Sequence, residues 1–147
     1  MAGIYNFREN SLRLYFSNKN PNFIENFIGF TDQEIVEEMQ IQLSEVEKDA
    51  SLTILACVEA KFWIDYIIRC EKRYKDVISK KFREIFIEYR VSLEENILEE
   101  WKNLPEVGSS IISEIKGAFK YRQWLAHGRY WTYKSTKFDF YGLYTLA

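Results

Sequence analysis

Thr31-Asp32-Gln33-Glu34-Ile35-Val36-Glu37-Glu38-Met39-Gln40-Ile41-Gln42-Leu43 contains a complete helix start. The Thr31 hydroxyl can accept the third helical amide while Glu34 reaches back to the Thr31 amide, and Ile35, Met39 and Leu43 recur at helical spacing. The helix predicted from this stretch runs to about Lys48. The same signals repeat downstream. Asp49 or Ser51 can cap a longer helix that carries Leu52, Leu55, Ala56, Trp63, Tyr66 and Cys70 on one stripe and breaks near Tyr74 to Asp76. A third helix, about Val77 to Tyr89, groups Phe82, Ile85, Phe86 and Tyr89. Ser92 with Glu95 opens a fourth, to about Lys102. Asn103-Leu104-Pro105 opens the last long helix, because proline is tolerated in a first turn but not in an interior. Ile111, Ile112, Ile115, Ala118 and Phe119 form its expected buried face, and Gly128 is its natural stop.

Outside this core the pattern weakens. Residues 1 to about 30 hold seven aromatics without a sustained helical period, which reads as an extended arm or short elements packed on the body. Tyr130 to Phe140 alternates weakly and suggests a small hairpin, and Tyr141 to Ala147 a short closing helix. The expectation is therefore one all-α domain over residues 1–147: an up-and-down bundle of about five helices, core about 31–130, with aromatic N- and C-terminal extensions.

Composition narrows the function classes. Glu59 and Lys61 interrupt the most apolar run, Leu52 to Trp63, so no bilayer-spanning segment is expected, and the N-terminus has no positively charged start leading into an apolar core. A cytoplasmic protein that does not engage membranes is expected. Cys57 and Cys70, thirteen residues apart on one predicted helix, read as reduced, semi-buried small hydrophobes. One histidine and two separated cysteines do not make an ordinary zinc site, so neither a metal site nor a cofactor is expected.

Net charge is only −2, yet Lys116 to Lys137 carries six Lys or Arg and no acid, leaving −8 on the remainder. Such a segment suits a localised phosphate-binding surface. It contains Phe119-Lys120-Tyr121-Arg122-Gln123-Trp124-Leu125-Ala126-His127-Gly128-Arg129-Tyr130-Trp131, which pairs an arginine with the chain's single histidine across four intervening residues. Imidazole suits proton transfer near neutral pH and guanidinium suits a phosphate bidentately. RNA brings its own nucleophile, so Arg122 and His127 are the candidate catalytic pair for RNA cleavage. Lys120, Arg129 and Lys134 are candidates for flanking phosphates, and Trp124, Tyr130, Trp131 and Tyr133 for base stacking. Projected at 100° per residue, Glu59 and Arg122 each sit mid-stripe on an apolar face. An unpaired buried charge is costly, so these helices should face each other, with Glu59 holding Arg122 or both lining a polar cleft. His127 lies about 140° from Arg122 on an ideal helix. The two converge only if the helix ends there or a second copy brings the groups together, which argues for a dimer.

Arg122-x4-His127 followed by Gly128, on the last long helix of an all-helical chain of this size, resembles the HEPN superfamily, whose signature is Arg, four to six residues, then His. Glu59-Ala60-x4-Asp65-Tyr66 on a preceding helix is similar to the acidic position those proteins carry opposite the motif. The resemblance covers about Thr31 to Tyr130. It implies a homodimer with a composite cleft, and metal-independent endoribonuclease activity leaving 2′,3′-cyclic phosphates. It also implies a toxin or phage-defence role, with an antitoxin or regulatory protein as partner. On that reading Arg122 stabilises the scissile phosphate, His127 transfers protons, and Gln123 stands where a smaller amide, commonly Asn, is usual. The tyrosine that some toxins carry two residues after the histidine is replaced by Arg129. Two other readings stay open: a non-catalytic HEPN-like module that binds a nucleotide or protein, and a helical interaction protein docking through its aromatic termini.

Overall fold

The computed structural model describes residues 2–88, 90–127, 129, 133 and 138–147, with Ile87 and Glu88 as backbone only. Among these residues the chain is all helical: α1 (Ala2–Tyr15), α2 (Phe23–Asn26), α3 (Asp32–Lys72), α4 (Val77–Glu88), a π-helical turn (Leu93–Ile97), α5 (Leu98–Lys102), α6 (Ser109–Ala126) and α7 (Phe140–Leu146). No helix is long and apolar enough to cross a membrane among the described residues.

The Thr31 start forms as its side chains dictate. The Glu34 amide donates to Thr31 Oγ1 at 3.3 Å and the Thr31 amide donates to Glu34 Oε2 at 2.8 Å, a cap worth about 1 kcal/mol. The helix it opens does not stop near Lys48. It continues as one 41-residue rod to Lys72, roughly 60 Å long, so Asp49 and Ser51 are interior positions, not caps. No glycine or proline interrupts Asp32 to Lys72, and Ser51 is fully buried there. Arg73, in the left-handed region at φ 50°, ends the rod at the expected break.

Residues 2–15 are helical rather than extended. α1 packs along the first half of α3, and Tyr5 stacks on Phe140 of α7 with ring centroids 3.9 Å apart. Ser92 caps the fourth segment, accepting from the Glu95 amide, but its first turn is wider than an α-helix. The last long helix begins at Ser109 instead of Pro105, because Gly108 at φ 74° turns the chain in a way a side chain would resist. The expected hairpin falls largely outside the described residues, whereas the closing helix forms as α7, capped by Asp139.

The core lies where α3, α6 and α7 meet. Ile54, Leu55 and Val58 pack with Ile112, Ile115, Ala118, Phe119 and Leu125, and Phe140 and Leu143 close that layer. Tyr66, Ile78, Phe82 and Ile97 form a smaller cluster under α4. Three expected core positions are exposed: Ala56, Phe86 and Ile111. On α3 the buried stripe is rotated towards Ile54 and Val58. Both cysteines are free, with Cys57 exposed instead of semi-buried and Cys70 half-buried.

Candidate active site

α3 and α6 lie side by side, which sets Glu59 opposite Arg122. Arg122 Nη2 is 2.9 Å from Glu59 Oε2, with the two side chains 32% and 29% exposed. Arg122 Nε is buried without a hydrogen-bond partner. The pair lies on the wall of a cleft of about 440 Å³ that Trp63, Phe119, Gln123 and the Ser92 to Glu95 turn also line. Glu59, Glu94 and Glu95 outnumber the single guanidinium there. Within one copy the cleft is therefore not a phosphate trap.

His127 is at the end of α6, exposed, with its amide donating to Gln123 O at 3.0 Å. That bond keeps His127 in helical register although the helix proper ends at Ala126, so its azimuth stays about 140° from Arg122. It shares the solvent stripe of α6 with exposed Lys120 and Gln123 and does not line the cleft. Gln123 lies between the two candidate catalytic residues on the helix surface and touches the cleft. The ending of the helix does not bring Arg122 and His127 together.

Three residues of the basic segment are engaged by the acidic body. Lys116 pairs with Glu99, Arg122 with Glu59, and Arg129 with Glu45, whose two oxygens lie 2.8 and 2.6 Å from Arg129 Nη1. Arg129 is thus tied to α3 through Glu45. It adopts φ 56°, a left-handed conformation that costs a non-glycine residue about 1 kcal/mol or more, and its amide donates to Trp124 O at 3.3 Å. The Glu45 contact holds that reversal two residues beyond His127. Trp124 is half-buried, stacked on Tyr121 at 5.6 Å and against Tyr133 at 5.4 Å, and packs against the core. Lys120 remains exposed. Gly128, Tyr130, Trp131 and Lys134 lie outside the described residues. The neutralisation of the basic segment was not visible in the chain order, because Glu45, Glu59 and Glu99 come from distant helices.

Hydrogen bonds from Lys48 and Arg129 hold the Glu45 carboxyl below the ordinary glutamate range. A depressed carboxylate contributes stability that is fully present above its unfolded pKa and is lost as pH falls through its folded value. Glu45→Gln is accordingly expected to be less stable than the parent at pH 7, by at most about 1 kcal/mol because the pair is solvent-exposed. The gap should close at pH values below the glutamate range, read from urea unfolding midpoints of both proteins at each pH. A gap that stays constant into acid would mean the contact does not work through its charge.

No protein-family model matches the chain, and neither the comparison with curated proteins nor that with solved structures finds a match.

Proposed function

We propose that the protein is a metal-independent endoribonuclease of HEPN type that works as a homodimer on single-stranded or loop RNA, in a toxin or phage-defence setting. The observation that carries this reading is the arrangement on α6: Arg122 set beside Glu59 in an open cleft, and His127 five residues on, exposed at the helix end. Because the two groups diverge within one copy, the site is composite, with α6 ends of two copies meeting so that Arg122 and His127 of different copies face one phosphate. There the RNA 2′-oxygen bonds to phosphorus as its proton passes to one His127. The phosphorus to O5′ bond then breaks as that imidazolium returns the proton to the leaving oxygen. Arg122 stabilises the charge on the five-coordinate phosphorus, and Gln123 lies within the composite site. The products are a 2′,3′-cyclic phosphate and a 5′-hydroxyl.

The acidic lining of the cleft and the absence of His127 from it favour a second reading, a non-catalytic HEPN-like module that binds a nucleotide or protein partner. Incubating the purified protein with a panel of unstructured and hairpin RNAs in excess EDTA separates the two. Cleavage with cyclic phosphate ends supports the enzyme. An intact panel, with binding that survives His127→Ala, would establish the module.

A further inference from the structure

α4 runs antiparallel to the end of α3, and a cavity of about 440 Å³ opens between them. Arg83 meets Arg69 and Tyr74, where α3 ends, while Phe86 lies near Tyr66 with ring centroids 6.5 Å apart, which fixes the direction of α4. The lining is accordingly sorted by chemistry. Arg73 and Arg83 occupy the end at which α3 stops. Ile67 and Phe86, 48% and 64% exposed, occupy the other, roughly 9 Å back along α3, with Cys70 between.

Helix capping explains only part of this arrangement. Arg83 is half-buried and donates from Nη1 to Arg69 O at 3.4 Å and from Nη2 to Tyr74 O at 3.2 Å, a favourable place for a cation beside a helix C-terminus. Those two bonds leave the rest of its donors open. Arg13, Arg69, Arg122 and Arg129 each meet a carboxylate, but among the described residues neither Arg73 nor Arg83 has such a partner. Glu71 is the single acid on the wall, and burial pushes the Cys70 thiol up, which keeps it neutral. Two guanidiniums against one carboxylate leave the cavity positive, beside exposed apolar surface. A second copy of the same cavity seated here would set guanidinium against guanidinium, so the pattern does not suit self-pairing.

The ligand that fits is a monovalent anion with its charge at one end and an apolar body behind it. A carboxylate takes two parallel N–H bonds from a guanidinium fork, and an alkyl chain lying on Ile67 and Phe86 removes them from water. The volume is in the range of small-ligand sites. We infer that the cavity between α3 and α4 binds an aliphatic monocarboxylate, its head on Arg73 and Arg83 and its chain on Ile67 and Phe86. The site is separate from the ribonuclease cleft, since Cys70 lies roughly 16 Å along α3 from Glu59.

The test is titration calorimetry of the full chain with octanoate. Saturable binding is expected, with acetate, octanol and octylammonium each at least about tenfold weaker, because each lacks the chain or the negative head. Arg73→Gln and Phe86→Ser, both at exposed positions, should each weaken octanoate by about tenfold or more while helical content is kept. Arg83→Lys, which keeps a cation for the α3 carbonyls but loses the fork, should weaken it as well. Absence of saturable binding overturns the inference. Octanol binding as tightly as octanoate does so too, because the guanidiniums then contribute nothing. Affinity unchanged in either Arg73→Gln or Phe86→Ser contradicts the assigned pose. None of these readouts requires RNA cleavage, so either reading can fail while the other stands.

Discussion

Replacing His127 by alanine should slow RNA cleavage about 10²- to 10⁴-fold, the range expected when a general acid or base is lost. Folding stability should change by no more than about 0.5 kcal/mol. The imidazole is exposed, and it makes no hydrogen bond or ion pair with a described residue, so its removal strands nothing. The competing role for a histidine at a helix C-terminus is to interact with the helix dipole, worth about 0.3 to 1 kcal/mol when protonated. The two roles have opposite readouts. A dipole role costs stability at low pH and leaves cleavage untouched, whereas a catalytic role abolishes cleavage and leaves unfolding midpoints in place. Arg122→Ala should fail by about 10²- to 10³-fold as a lost oxyanion donor, but it also leaves Glu59, 29% exposed, without its partner. Arg122→Lys separates these effects, because it keeps a cation near Glu59 while losing the planar fork that grips phosphate. Single-turnover cleavage of one RNA in EDTA, with urea unfolding of the same samples, reads both quantities.

Phe140→Ala should cost about 3 to 5 kcal/mol, the range for an aromatic removed from a core that does not collapse to fill the space. Phe140 is 1% exposed and joins three elements. It stacks on Tyr5 of α1 at 3.9 Å, packs in the cluster of Leu55 and Ile115, and its amide donates to Glu47 Oε1 of α3 at 3.2 Å. Its loss should therefore unfasten both chain ends from α3 before the core opens. Denaturant unfolding gives the energy. Amide exchange gives the order: α1 and α7 should lose protection first, with the middle of α3 and α6 retaining theirs. Uniform loss of protection would mean that the termini are integral to the core and not fastened to it.

The parts of this fold legible in the sequence are those written in local chemistry. Thr31 with Glu34, Ser92 with Glu95 and the break after Lys72 follow from caps and stops that act within four residues. The pairing of Glu59 with Arg122 was legible for a different reason, because a charge in the middle of an apolar stripe demands a partner and the chain offered one on each of two facing helices. Three features were hidden. Asp49 and Ser51 have the side chains of a helix start, but without a glycine or proline before them nothing ends the preceding helix. α1 escaped recognition because Gly3, Asn6, Asn10 and Ser11 are weak helix formers, and its packing on α3 is a contact that local sequence does not show. The third is electrostatic. Lys116 to Lys137 is strongly basic along the chain, yet Lys116, Arg122 and Arg129 meet glutamates seventeen to eighty-four residues away. The candidate site is accordingly sharper and smaller than the sequence suggested. Arg122, Gln123, His127 and exposed Lys120 lie on one side of α6, while Arg129 is paired with Glu45 and Trp124 packs on Tyr121.

The divergence of Arg122 and His127 around α6 makes the composite site the central claim, and it is tested most directly by mixing two inactive variants. Arg122→Ala and His127→Ala proteins, each inactive alone, are unfolded together, refolded and assayed on the same RNA in EDTA. Mixed dimers hold an intact Arg122 on one copy and an intact His127 on the other, so cleavage should return to a measurable part of the parent rate. A mixture as inactive as its components, while refolded parent protein regains activity, would contradict a site shared between copies.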